Sequence, residues 1–137
     1  MILLLMLMQT ATPQIELPPP VTAGLDALEA GRCDEAFTHW QPPPTATSGT
    51  NAVQRLTDCA SLRRLGVLHG HELLRVVSVG TRIRRVYLLL RYQAQPVYML
   101  LVAYQPADEW TILRVNWNIN ADRILPPTIA PPERGGP

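Results

Sequence analysis

The residues best suited to bind a small molecule lie in the last predicted strand, residues 109–119. Side chains two apart along a strand project from the same face, so Arg114, Asn116 and Asn118 are expected to lie side by side. A guanidinium and two amides on one face can bind a carboxylate or a carbonyl group. The candidate ligand pocket comprises these residues, two apolar neighbours and two tyrosines: Trp110, Ile112, Arg114, Asn116, Asn118, Tyr87 and Tyr98. The alternatives are that this face meets solvent and that the tyrosines serve packing.

The two cysteines of the chain, Cys33 and Cys59, form a second candidate pair. Each lies beside apolar residues of a predicted helix, so both are expected to point inward where the helices cross. Two cysteines in an exported protein most simply form one disulfide, and the alternative is two free buried thiols. By chain entropy, closing a loop of about 25 residues contributes roughly 3.5 kcal/mol.

Metal and acid–base chemistry have weaker support in the sequence. His69, His71 and Glu72 could ligate a metal, but such a cluster at the start of a strand is more typical of a solvated junction. A general acid or base would have to lie inside the fold. From Leu73 onward the chain has no histidine, and its acidic residues fall in turns, at a strand edge or in the tail. The sequence therefore predicts no metal or cofactor and favours a non-catalytic protein.

The spacing of apolar residues defines the elements that position these groups. Residues 22–40 and 51–66 repeat apolar side chains at helical spacing, whereas the period shortens toward two after Gly70. Four strands follow, joined by links too short for parallel crossovers, so they must form antiparallel hairpins. The fold class is therefore α+β, with two helices followed by a four-stranded antiparallel meander sheet. The predicted strands are residues 71–79, 82–93, 96–105 and 109–119.

The two middle strands are apolar on both sides, as residues 86–92 and 97–104 show. A sheet that is buried on both faces needs a cover on each, and two helices can cover only one of them well. The sequence therefore predicts a homodimer that forms through the other face. The alternative is that long side chains or the C-terminal tail cover that face.

The composition and the placement of charged residues argue against nucleic acid as a partner. The chain has 137 residues, 47% hydrophobic and 17% charged, which is enough for one domain with a real core. Its twelve cationic residues are all arginine, and the net charge is only +1. Arg82 and Arg84 fall on one face of their strand and Arg85 and Arg91 on the other, so no single basic patch for nucleic acid forms.

The N-terminal residues are typical of an exported protein. Residues 2–8 are all apolar, which is too short for a membrane span but matches a short signal-peptide core, with Ala11 before a cleavage point. The missing arginine before the apolar run and Gln9 depart from the usual pattern, so a plain apolar N-terminus is the alternative. A periplasmic or secreted location is expected. The predicted division is 1–11 signal peptide, 12–20 proline-rich spacer, 21–126 single domain and 127–137 flexible tail.

The order of elements and several short motifs resemble small secreted bacterial members of the nuclear-transport-factor-2-like superfamily, which is cystatin-like and cone-shaped. The motif residues are Gly66, Gly70 and Glu72; Tyr87, Leu88 and Tyr92; Tyr104, Pro106 and Trp110; and Ile124, Leu125 and Pro126. The resemblance implies a strongly curved sheet wrapped around a helix with a cavity between them, and many relatives are dimers.

Three functional hypotheses follow from the residues and the resemblance together. The first is a non-catalytic module that acts by protein association, including self-association through the sheet. The second is a binder of a small, partly apolar ligand inside the cone. The third is a hydratase- or isomerase-type enzyme, since this superfamily hosts all three kinds of protein.

Overall fold

The computed structural model describes residues 16–41 and 52–129, with side chains for all of these except residues 52–57. The predicted signal peptide and the residues after 129 lie outside the described ranges, as does part of the spacer. No helix in the described ranges is long and apolar enough to cross a membrane. The elements are α1 (Pro19–Glu29), α2 (Cys33–His39), α3 (Ala52–Arg63), β1 (Leu68–Val79), β2 (Ile83–Tyr92), β3 (Pro96–Tyr104), β4 (Thr111–Asn118) and a short 3-10 turn (Ala121–Arg123).

The sheet confirms the predicted α+β class and antiparallel meander. Its four strands lie in the order β1-β2-β3-β4, and every neighbouring pair is antiparallel. The connection between β2 and β3 is only residues 93–95, and β1 and β2 are joined by residues 80–82. Links of this length permit only hairpins, which is why the topology could be read from the spacing of the strands.

The first predicted helix is in fact two helices, so the continuous helix expected over residues 22–40 is wrong. Gly31 has a φ of +80°, a left-handed conformation that ends α1, and its N–H donates to the Leu28 carbonyl at 3.1 Å. α1 also begins earlier than expected, at Pro19. Proline is tolerated in the first turn of a helix because its missing N–H would have no partner there.

One face of the sheet is buried together with the helices, and we call it the inner face. Its side chains form a single apolar cluster with those of the helices. Burying each large aliphatic side chain stabilises the fold by about 1.5–3 kcal/mol. The inner-face members are Val86, Leu88, Leu90, Val97, Met99, Leu101, Ala103 and Ile112, and the helical members include Val21, Leu25, Leu28, Phe37 and Leu62.

The junction of α1 and α2 is closed by Trp40. Its ring is 1% exposed, and Nε1 donates to the Pro20 carbonyl at 3.2 Å. Phe37 meets it edge-to-face, with ring centroids 5.4 Å apart. The indole lies directly against Gly24, where a Cβ atom would collide with Nε1 and Cε2 of the ring. A glycine inside a helix weakens it, but here it permits the close approach of Trp40.

The predicted cysteine pair connects the next two helices. Cys33 begins α2 and Cys59 lies in α3; they are at disulfide distance, with Cα atoms 5.8 Å apart. Both side chains belong to the buried cluster. The pair therefore links α3 to α2 across a long connection.

Candidate functional site

Five of the seven predicted binding residues share the face of the sheet opposite the inner face, which we call the outer face. Its central row crosses three strands, where Tyr87 pairs with Leu100 and Leu100 with Asn116. Directly paired residues of antiparallel strands project to the same side. The rows beside it are Leu89, Tyr98 and Asn118, and Arg85, Val102 and Arg114.

The other two predicted residues, Trp110 and Ile112, lie on the inner side, and a β-bulge is the reason. Ile112 and Arg114 are two positions apart, yet they pair with adjacent residues of β3, so Leu113 is an extra residue. Ile112 is consequently buried in the core, and Trp110 lies against Arg84 on the inner side. The expectation that Trp110 and Ile112 share a face with Arg114 is wrong, because the strict alternation of a strand fails at a bulge.

The centre of the outer face is apolar and already partly shielded from solvent. Tyr87 is only 4% exposed although no helix of the described chain lies over it. Leu89, Tyr98, Leu100 and Val102 around it are half-buried. Together these side chains form a contiguous apolar surface that includes two tyrosines.

Cationic and amide side chains surround this apolar centre. Arg85 and Arg114 flank Val102 from the two neighbouring strands, and Arg75 pairs with Tyr87 from β1. In the amide orientation that satisfies its neighbours, the Asn116 side-chain oxygen accepts from Arg114 Nε at 3.0 Å. The three arginines are exposed. This rim can bind carboxylates or carbonyl oxygens at its edge, but it encloses no deep cavity.

The histidine cluster considered for metal binding is divided in the structure. His69 contacts the Gln93 side chain, whereas the His71 ring contacts Glu29 of α1. Glu72 pairs with Leu89 and so points to the outer face. In the described ranges, no group of three or more His, Cys, Asp or Glu side chains is placed to hold a metal ion.

Asp58 of α3 is a titratable group that lies against the last strand, where it hydrogen-bonds with Trp117. Burial raises the pKa of its carboxyl above the ordinary value of 3.8, and a hydrogen bond from Trp117 partly offsets this rise. In β2, burial raises the pKa of the Tyr92 phenol to about 12. No charged or polar side chain is fully buried in the part of the chain that the structure describes. The described interior is therefore apolar.

Sequence patterns did not identify Leu100, Val102 and Arg85 as members of the same surface as Arg114. The apolar character of the middle strands on both sides indicates that an apolar outer face exists. Which residues lie side by side on it depends on the register between the strands, which only the structure gives. No protein-family model, curated protein or solved structure matches the chain. The outer face must therefore be interpreted from its own chemistry.

Proposed function

We propose that the protein acts by association with other protein chains, and that its outer face pairs with a second copy to form a homodimer. The observation that carries this proposal is the apolar centre around Tyr87, on the side of the sheet opposite the described helices. An apolar centre rich in tyrosine with an arginine-containing polar rim is the composition of protein–protein interfaces. The resemblance to the cone-shaped superfamily, many of whose members are dimers, supports the same reading.

The charges on the outer face favour one arrangement of the two copies. A two-fold axis parallel to the strands, midway between β2 and β3, exchanges these two strands across the interface. Tyr87 then lies over Leu100 of the second copy, and Arg85 over its Val102, because these residues are partners in the β2–β3 register. Arg114 likewise lies over Val77, so no arginine faces another arginine and like charges stay apart.

We also propose that the protein is exported to the periplasm or secreted. The Cys33–Cys59 pair is at disulfide distance, and disulfides persist in oxidising compartments. The apolar residues 2–8, with the sequence of a short signal-peptide core, point the same way. Association outside the cytoplasm is therefore the setting in which the outer face would act.

The proposal is tested by placing a charge at the centre of the outer face. Leu100 is the right position because it lies beside Tyr87, whereas its neighbour Leu101 is completely buried in the core. Leu100→Glu should give a monomer with an unchanged circular dichroism spectrum, because a desolvated carboxylate opposes the interface. Sedimentation velocity on the wild type should give twice the mass of one chain.

Val67→Glu is the matched control, since Val67 is 65% exposed and precedes β1, away from the outer face. This variant should remain a dimer, which would show that an added carboxylate alone does not disrupt assembly. A wild type that is monomeric at micromolar concentration, or a Leu100→Glu variant that is still dimeric, contradicts the proposal.

A further inference from the structure

Two cavities meet at Trp110, on the side of the sheet away from the outer face. One, of about 460 Å³, lies between residues 16–19, the end of β1 and the turn that follows β3. The other, of about 620 Å³, extends toward the end of α2. Both are lined by Pro19, Asp108 and Trp110. We call them together the Trp110 groove; each has the volume of an ordinary small-molecule site.

Arg84 supplies the positive charge of this groove. Its guanidinium lies 4.8 Å from the centroid of the Trp110 ring, and Nη1 donates to the Glu16 carbonyl at 3.1 Å. These two contacts hold the side chain in place while engaging few of its five N–H donors. Within the described ranges, no carboxylate oxygen lies within 4.0 Å of the guanidinium. Arg84 therefore keeps donors for a carboxylate that the described chain does not supply.

Three acidic residues line the groove and supply the negative charge. Asp108 lines both cavities, Glu16 lines the first and Glu109 the second. The turn after β3, which carries two of them, is braced, since Arg82 Nη1 donates to the Ala107 carbonyl at 2.7 Å and Gln105 Nε2 to the Asp108 carbonyl at 3.1 Å. None of the three acidic side chains forms an ion pair with a described residue. Opposite charges thus line one groove without pairing with each other.

We propose that the Trp110 groove binds a small zwitterion, either a free amino acid or the end of a short peptide. The ligand carboxylate pairs with Arg84, its ammonium group lies beside Asp108, and its apolar part packs on Pro19 and Trp110. A ligand with only one of these charges would meet a like charge without the compensating attraction, so the groove favours a ligand that carries both. The inference is independent of dimerisation, because the groove and the outer face lie on opposite sides of the sheet.

The test is titration of the ¹⁵N-labelled full-length protein with L-leucine and leucyl-leucine, observed through the indole N–H signals of its three tryptophans. Trp110→Phe assigns the Trp110 signal by its loss. Trp117, which lines neither cavity, serves as the internal reference. We expect at least one zwitterion to shift the Trp110 signal saturably at concentrations up to about 10 mM. Tighter binding of L-leucine would indicate a site for a free amino acid, and tighter binding of leucyl-leucine a site for the end of a peptide.

Single-charge analogues test the charge complementarity on the wild type alone. N-acetyl-leucine keeps only the carboxylate and leucinamide keeps only the ammonium, and each should bind at least about tenfold more weakly than the better zwitterion, the equivalent of one lost charged contact. An analogue that binds within about twofold of the zwitterion, or the absence of any saturable shift of the Trp110 signal, overturns the proposal. This result does not depend on any variant folding.

Substitutions then test which residues supply the two charges. Arg84→Gln and Asp108→Asn should each weaken binding of the zwitterion about tenfold. Arg123→Gln is the matched control, because it removes an exposed arginine of the 3-10 turn that lines neither cavity, and it should leave affinity unchanged. The dispersion of the NMR spectrum shows whether each variant is folded. A folded Arg84→Gln variant with wild-type affinity overturns the proposal.

Discussion

At the residue scale, Gly24 shows how closely α1 and α2 approach each other. Alanine is the better helix former by about 1 kcal/mol, so Gly24→Ala would stabilise an exposed helix. Here the new Cβ collides with the Trp40 ring, which is fixed by its hydrogen bond to Pro20. We expect Gly24→Ala to lower the free energy of unfolding by about 1–3 kcal/mol, the usual cost of overpacking. Urea denaturation followed by tryptophan fluorescence measures the change.

Thr22→Ala is the control for this prediction, because Thr22 lies on the exposed side of the same helix. That substitution raises helix propensity without adding an atom to the core, so the free energy of unfolding should stay the same or increase slightly. Equal stability of Gly24→Ala and the wild type would mean that Trp40 can move away from α1.

Asp58 should make stability depend on pH in a direction opposite to that of most carboxylates. Because burial raises its pKa in the folded state, Asp58 stabilises the fold below the unfolded value of 3.8, and this contribution is lost as pH rises through the raised pKa. Asp58→Asn keeps a side-chain oxygen to accept from Trp117 but carries no charge. We expect this variant to be more stable than the wild type at neutral pH and similar to it near about pH 3.

Urea denaturation of both proteins across this pH range checks the prediction. Asp122→Asn removes an exposed carboxylate elsewhere and should not reproduce the effect. If the wild type were the more stable protein at neutral pH, the hydrogen bond from Trp117 would outweigh the cost of burying the charge.

Residue types and spacing predicted some contacts and not others. The cysteine pair could be predicted because there are only two cysteines and both lie on apolar helical stripes. The contact between Arg84 and Trp110 could not, since it joins residues 26 positions apart whose approach depends on the β2–β3–β4 register. The Trp110 groove was missed for the same reason.

At the element scale, periodicity predicted the type of the segments that form α1–α3 and β1–β4, but not each boundary and not the 3-10 turn. The strands were found within a few residues because their links are short and their runs strongly apolar. The division of the first helix at Gly31 and the bulge at Leu113 were missed. Both are single-residue events that leave the surrounding pattern intact, and the bulge alone redirected Ile112 from the predicted pocket into the core.

The link between Cys33 and Cys59 determines how firmly α3 is held. Cys33 lies in α2 and Cys59 in α3, so a bond between them closes a long loop of the chain. For a sequence separation of 26 residues, the chain-entropy model gives a stabilisation of about 3.5 kcal/mol. The double variant Cys33→Ala/Cys59→Ala should lower the free energy of unfolding by about this amount in urea denaturation.

Reduction of the wild type separates the effect of the covalent bond from the effect of removing two buried sulfur atoms. A reducing agent opens the covalent link but keeps both sulfurs in the core, so it should reproduce most of the effect. If reduction leaves the free energy of unfolding unchanged, and two thiols are detected in the unfolded protein before any reducing agent is added, the two cysteines are free and buried.

At the scale of the whole molecule, the described helices and sheet form a single layered core, and the outer face determines whether the folded chain is complete on its own. A monomer would expose the apolar surface around Tyr87, Leu100 and Val102 to water. A dimer would bury it, and unfolding would then be coupled to dissociation. The oligomeric state is thus a thermodynamic property of the fold as well as a functional one.

This coupling gives a prediction that needs no substitution. For a dimer that unfolds to separate chains, each tenfold increase in protein concentration adds about 1.4 kcal/mol of stability per mole of dimer, which raises Tm by about 3 °C for two chains of this size. Differential scanning calorimetry over a hundredfold range of concentration should show this rise for the wild type and for Val67→Glu. The Tm of Leu100→Glu should not change with concentration, since its outer face carries a charge that opposes pairing. A wild-type Tm that is equally independent of concentration would contradict the dimer and favour the alternative that long side chains or the C-terminal tail cover the outer face.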